Sequence, residues 1–235
     1  MLGLGNSLTA KRYSSATWSP SNLGSKLKAW FKNDTDILEG TSDPAENNDN
    51  VTQWSDQSGN DNHLTAPNNF FQYDSSTGGI ISAGSSNDKM HLTNQLTLSG
   101  QFALYMRVSF SSISSGAHDL FFYDKDSSSS DFFRVQSTTE VRGKISNGVV
   151  RKFTQPTQSL DTFFNFGIER DSDNDLLAFR DNSALSATTA VTDTGTLDID
   201  SIGGNFDGTI KEVIICNSSL SSSERTELQA YLANI

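Results

Sequence analysis

The C-terminal stretch of this chain constrains its fold most. Ile210 and Val213 are set against Lys211 and Glu212, and the chain then runs Val213, Ile214, Ile215 and Cys216 without a polar residue. Alternation followed by a wholly apolar run predicts a strand buried on both faces, central in a sheet. A polar turn leads to Ser221 and Glu224, spaced as a capping box: the hydroxyl accepts from the Glu224 backbone N–H, and the carboxylate accepts from that of Ser221. Beyond it, Leu228, Tyr231, Leu232 and Ile235 recur at intervals of three and four, one apolar stripe on a short helix. The expected unit is a central strand, a turn, and a helix that closes one edge or end of the domain.

The rest of the chain reads as short strands. Phe102, Leu104, Met106, Val108 and Phe110 alternate with other residues, though Tyr105 breaks strict polarity. Runs beginning at Leu120, Phe132, Val141, Val149, Phe163 and Leu176 are separated by Ser127–Ser130, Asn147-Gly148 and the polar stretch 171–175. Asn147-Gly148 is the strongest local hairpin signal, because a type I′ turn needs positive φ at both central residues. Near the start, Leu27, Ala29 and Phe31 alternate with Lys26, Lys28, Trp30 and Lys32, an amphipathic first strand with Trp30 on its polar side. Residues 21–25 can make one helical turn, and 1–18 read as an extended arm ahead of a single sandwich over 19–235. The fold class is all-β, a two-sheet antiparallel sandwich with a short C-terminal helix.

A chain of 235 residues buries about 70 % of its unfolded surface, so it folds without a disulfide or metal. Its one cysteine, Cys216, excludes an internal disulfide framework. With 17 basic against 28 acidic residues the net charge is −11, which disfavours binding to nucleic-acid phosphates. The first residues lack a basic n-region and a long apolar core, so neither an export signal nor membrane insertion is expected.

Two signatures carry a resemblance. One is F-x-G-x-I-x-E-V from Phe206 to Val213, followed by L-S-x-x-E from Leu220; the other is W-x-D-x-S-G-N-x-x-H from Trp54 to His63. Together they resemble the concanavalin A-like (laminin-G-like) lectin/glucanase jelly-roll modules, which implies jelly-roll connections over residues 20–235. The opening M-L-G-L-G-N-S-L, with W-S-P-S from Trp18, resembles the start of virion structural proteins of marine tailed phages. That likeness implies a non-enzymatic virion component, either a capsid decoration or a fibre. Its partners would be other virion proteins, with oligomeric or lattice display. Leu2, Leu4, Leu8 and Tyr13 are the apolar groups through which the arm would dock. The alternatives are an adhesin for host-surface glycans and, third, a polysaccharide depolymerase.

Retaining glucanases of the resembled family use E-x-D-x-E on one strand, which places two carboxylates about 5 Å apart across the glycosidic bond. No such motif occurs; Glu169-Arg-Asp171 lacks the third carboxylate, and Asp198-Ile-Asp200 has only aspartates. His63, His91 and His118 follow no metal-ligand spacing. The chain is therefore expected to have no catalytic residues. Calcium is the cofactor that the resemblance allows, through oxygen ligands. Asp171, Asp173 and Asp175 mimic the start of an EF-hand loop, but Leu176 and Asn182 stand where it needs Gly and Glu. Asp124, Asp126 and Asp131 form a second acidic group around the serine loop, while Asp56, Asn60 and Asp61 are expected to buttress a turn. Of the aromatics, 15 are Phe, which at alternate strand positions belong to a core. Trp18 and Trp30 are the candidates for stacking on a sugar.

Overall fold

A computed structural model describes residues 18–67, 71–84, 89–113, 119–126, 129–146 and 148–235. Leu2, Leu4, Leu8, Tyr13, His118 and Asn147 lie outside the described residues.

Two antiparallel sheets face each other, as the alternating sequence predicts. One runs Ser183–Ala184, Leu176–Arg180, Phe164–Arg170, Phe102–Phe110, Asp207–Cys216, Gly79–Ala83 and Gln72–Asp74, with Leu27–Phe31 also paired to Asp207–Cys216. The other runs Ser186–Ala187, Arg151–Thr154, Glu140–Lys144, Phe132–Ser137, Asp119–Tyr123, Leu197–Ile202, Met90–Leu98, Leu64–Thr65, Gln53–Trp54, Ile37–Glu39 and Asp43–Pro44. Asp207–Cys216 is central: Phe102–Phe110 lies along one side, while Gly79–Ala83 and Leu27–Phe31 share the other. Between the sheets sits a phenylalanine-rich core including Phe31, Phe110, Phe121, Phe133, Phe166 and Phe206. Arg151–Thr154 pairs antiparallel with Glu140–Lys144, so a hairpin joins these runs, but Gly148 does not take the positive φ of a type I′ turn and the pairing begins only at Gly143 and Arg151.

The helix Ser222–Ala233 begins at the predicted capping box. Ser221 Oγ accepts from Glu224 N at 3.3 Å, and Glu224 Oε2 accepts from Ser221 N at 2.7 Å, a device worth about 1 kcal/mol. Its position differs from the sequence expectation. It does not close an edge; it lies across the outer face of the first sheet, with Leu228 and Leu232 packed in one cluster with Leu27, Trp30, Tyr105, Ile214 and Cys216. That placement explains why Val213–Cys216 is apolar throughout: Val213 and Ile215 join the core between the sheets, Ile214 and Cys216 the layer under the helix.

The same layer encloses three outward residues. Trp30, set by alternation on the polar side of the first strand, is 8 % exposed, and Tyr105 and Glu212, which also point away from the core between the sheets, are fully buried. Trp30 Nε1 donates to Glu212 Oε1 at 2.6 Å, Asn33 N donates to Oε2 at 3.1 Å, and Tyr231 also bonds to this carboxylate. Burial nevertheless pushes the Glu212 carboxyl above its usual range. In the same layer, Glu169 is fully buried, with Oε1 accepting from Tyr105 Oη at 2.5 Å and Arg225 Nε at 2.7 Å, and Oε2 from Arg225 Nη2 at 2.8 Å. Tyr105 crosses the neighbouring strand over Gly167, where an added Cβ would stand 2.1 Å from its ring. Glycine there opens the path by which the phenol reaches Glu169.

The Trp54–His63 signature is a clamp on the first strand. Asp56 Oδ1 accepts from Trp30 N and Ser58 N, both at 2.8 Å, and Oδ2 accepts from Asn62 N at 3.0 Å. Asn60 Nδ2 donates to Leu27 O, Asn62 Nδ2 to Lys28 O and Trp54 Nε1 to Lys32 O. Positive φ falls at Gly59 and Asp61 rather than at Asn60. The turn-buttressing role expected of Asp56 is met by four hydrogen bonds to one carboxylate, including Ser58 Oγ at 2.7 Å.

Candidate functional site

The helix covers much of the outer face of one sheet. Among the described residues no helix packs on the outer face of the other, here called the open sheet. Strand register lays a row of side chains across that face: Phe132, Tyr123, Ser201, His91, Thr65 and Gln53, each opposite the next. Residue alternation places them there, because Phe133, Ile202 and Leu64 point into the core.

At the centre of the row is a dense polar cluster. His91 Nδ1 lies 2.5 Å from Ser201 Oγ, which donates to Asp200 Oδ1 at 2.9 Å. Asp200 also accepts from Lys125 N at 2.7 Å and from Lys125 Nζ at 2.5 Å. Those bonds hold its carboxyl below the usual range against the opposing effect of burial. Burial pushes the Tyr123 phenol well above its usual value. Desolvation, reinforced by Lys89, lowers His91, which is therefore neutral at pH 7. Histidine, serine and aspartate meet here, but not as a hydrolytic triad. Ser201 is fully buried, sits between the other two, and gives its proton to Asp200 rather than to a base.

Asp124, Asp126 and Asp200 bring one oxygen each within 4.8 Å of one another, the single such acidic group among the described residues. Lys125 Nζ already stands on Asp200 at 2.5 Å and Asp126 at 3.2 Å. An ammonium thus supplies the positive charge that a calcium ion would bring, and the set does not fit calcium. Asp131, grouped with these residues in the sequence reading, instead accepts from Ser146 N at 2.8 Å. Asp171, Asp173 and Asp175 occupy the hairpin tip between Phe164–Arg170 and Leu176–Arg180. Asp171 Oδ1 accepts from the backbone N–H groups of Asp173 and Asp175 at 2.9 Å, and Asp175 Oδ1 accepts from Thr192 Oγ1. The three carboxylates do not meet as a ligand set.

Trp18 and Trp30 lie on the opposite face. Trp30 is enclosed by the helix, whereas Trp18 is half-buried, edge-on to Tyr231 at 6.0 Å. Trp18 lines a groove of about 350 Å³ with Glu227, Ala230, Tyr231, Asn234 and Ile235. A further hollow of about 440 Å³ at the sandwich edge is lined by Thr154, Pro156, Arg180, Asp181 and Ser183–Ser186.

Similar architecture occurs in solved structures. Domain 4 of AbnA, a GH43 extracellular arabinanase from Geobacillus stearothermophilus determined in complex with arabinotriose, superposes with a TM-score of 0.59 at 16 % identity. That match covers 87 % of this chain and 98 % of that one. The binding domain of Paraclostridial Mosquitocidal Protein 1 gives 0.60 at 10 % identity, covering 92 % and 53 %. A botulinum neurotoxin type C structure, from work on its entry into cells through two ganglioside molecules, gives 0.62 at 12 %, covering 91 % and 53 %. This chain therefore spans about half the length of the two toxin chains and nearly all of the arabinanase domain. These likenesses establish the fold. No protein-family profile matches the sequence, and no curated protein sequence matches it.

The polar cluster on the open sheet escaped the sequence reading because His91, Tyr123, Lys125 and Asp200 come from three strands and a loop. Asp200 was visible only as one member of an alternating acidic pair, and nothing local to His91 marked it as its neighbour.

Proposed function

We propose that this chain is a non-catalytic carbohydrate-binding sandwich whose ligand face is the outer surface of the open sheet. The observation that carries this reading is the contrast between the two sheets. One outer face is closed by a helix, and the other presents His91, Thr65, Gln53 and Lys125 beside Tyr123 and Phe132, whose rings are themselves covered. Sugars are bound by such polar groups held in fixed directions. The shared fold supports it, since the arabinanase domain that this chain matches almost end to end was determined with arabinotriose. The absence of catalysis is supported by how the carboxylates are engaged. Glu169 is locked by Arg225 beneath the helix, and Asp200 is held by Lys125, so neither stands free to act as acid or nucleophile.

A glycan array followed by calorimetry with arabinotriose and the oligosaccharides it selects tests the reading. Wild-type protein is expected to bind, and His91→Ala and Lys125→Gln to weaken binding about tenfold, the effect of one or two lost hydrogen bonds. The amide introduced by Lys125→Gln retains a donor for Asp200, and the melting temperature identifies any variant that merely unfolds. Labelled polysaccharide incubated with the protein should keep its length. Shortened chains, or no glycan bound at all, would overturn the proposal.

The opening sequence favours a second reading of where such a module acts. M-L-G-L-G-N-S-L ahead of W-S-P-S resembles the start of phage virion proteins, which would place the sandwich on a particle surface with residues 1–18 docked on other virion proteins. Repetition on a particle turns weak single contacts into avidity. Deleting residues 2–17 is then expected to leave the melting temperature within a few degrees of wild type while removing the protein from particles, as counted by mass spectrometry. Incorporation at the wild-type copy number would refute docking through this segment.

A further inference from the structure

The open sheet carries a charge arrangement opposed to the composition of the chain. Phe132–Ser137, Glu140–Lys144 and Arg151–Thr154 are consecutive strands, and their register sets Arg134 opposite Arg142 and Arg142 opposite Lys152. Phe133, Val135, Val141 and Phe153 point into the core, so alternation sends all three basic residues to the outer face. Lys144 joins them one row away, opposite Phe132.

Like charges directly opposite one another destabilise a strand pair. Here three stand in line in a protein of net charge −11, where acidic residues outnumber basic ones and could have been placed between them. On these three strands Glu140 is the one acidic residue. Glu140 pairs with Arg142 at 2.5 Å, and Lys144 is tied to Ser129 O at 2.7 Å. Arg134 makes no ion pair among the described residues. Its guanidinium lies on the Phe132 ring, 4.2 Å from the centroid, and its Nε is buried without a hydrogen-bond partner. Burial and the neighbouring Arg142 together lower Arg134 to about 10, so it remains charged at neutral pH in a place that opposes the charge.

A row of three cations built into the strand pairing, with Glu140 alone against them, is explained by a ligand that brings further negative charge. We propose that the Arg134–Arg142–Lys152 ladder recognises anionic groups on an acidic polysaccharide, one carrying sulfate or uronate. Arginine suits this task because its planar fork matches sulfate and carboxylate oxygens, and stacking on Phe132 fixes the fork in advance. The ladder spans two strand spacings, about 10 Å, which suits anions set at intervals along a saccharide rather than a single small ion. A nucleic acid is a poorer match, since a chain of net charge −11 opposes a continuous phosphate backbone. The inference rests on the carbohydrate-binding reading above and names the ligand class.

The experiment measures binding of the full chain to four immobilised polymers: dextran sulfate, polygalacturonate, neutral arabinan and single-stranded DNA, at low and high salt. The acidic polysaccharides are expected to bind more tightly than arabinan and DNA, with affinity falling as salt rises. Arg134→Gln with Arg142→Gln should lose about tenfold or more in affinity for them at an unchanged melting temperature. Arg134→Lys with Arg142→Lys should recover only part, because a point charge replaces the fork. Lys32→Gln with Lys211→Gln removes the same charge from the helix-covered sheet and should leave binding intact. The relative response to sulfate and uronate arms identifies the anion.

Equal loss in that control pair would reduce the effect to net charge and overturn the proposal. So would DNA binding as tight as the acidic polysaccharides. Arabinan binding that is as tight as theirs and indifferent to the arginine substitutions would overturn the ladder while leaving the carbohydrate-binding reading standing. Failure to bind any polysaccharide would defeat both.

Discussion

Arg225→Ala is expected to cost about 3–5 kcal/mol, the range for breaking a buried ion pair by removing one partner. The size follows from what is left behind. Glu169 is fully buried and receives two of its four hydrogen bonds from Arg225; without them, the Tyr105 hydroxyl and the distant Leu220 N–H at 3.4 Å remain. The carboxylate would then be a buried charge short of partners. Denaturant unfolding of the variant at neutral pH measures the deficit. Combining Arg225→Met with Glu169→Gln should recover much of the loss, because neither residue then carries a buried charge. Unfolding of Arg225→Ala at the wild-type denaturant midpoint would mean that the pair does not hold the helix to the sheet.

How far the sequence discloses this molecule depends on the range of the interactions. The strand Asp207–Cys216, the Ser221 cap and the Asp56 turn are written in neighbouring residues, and each is found where local spacing puts it. Alternation also reports correctly that Trp30, Tyr105 and Glu212 point away from the core between the sheets. It is silent on whether that outer side meets water or a helix. The landing place of Ser222–Ala233 is decided by contacts distant in sequence, such as Lys26 with Glu224 and Glu169 with Arg225. The open-sheet face is similar. The Asn147-Gly148 signal brings Glu140–Lys144 and Arg151–Thr154 together, but a two-residue turn there would set Arg142 opposite Phe153, one position off the observed Lys152. The junction of His91, Tyr123 and Asp200 exists only once Leu197–Ile202 has inserted between two strands distant in sequence.

Ile214→Asp is expected to abolish soluble folding, and the reason lies in a comparison with Glu212. Both residues point to the layer under the helix, two positions apart on one strand. Glu212 is tolerated because Trp30 Nε1, Asn33 N and Tyr231 converge on it. Ile214 stands opposite Trp30 on one side and Tyr105 on the other, and both have their polar atoms engaged, Trp30 by Glu212 and Tyr105 by Glu169. The remaining members of that layer include Leu27, Phe179, Leu220, Leu228 and Leu232, which have nothing to donate from their side chains. An aspartate there would be an unpartnered buried carboxylate, a penalty of several kcal/mol and so comparable with the whole stability of a domain. Ile214→Val, which removes one methylene and no more, should cost only about 0.5–1.5 kcal/mol and serve as the control. Expression yield and thermal melting of the pair check the prediction. A soluble Ile214→Asp protein melting near wild type would show that the helix can lift off this sheet and let water reach the strand.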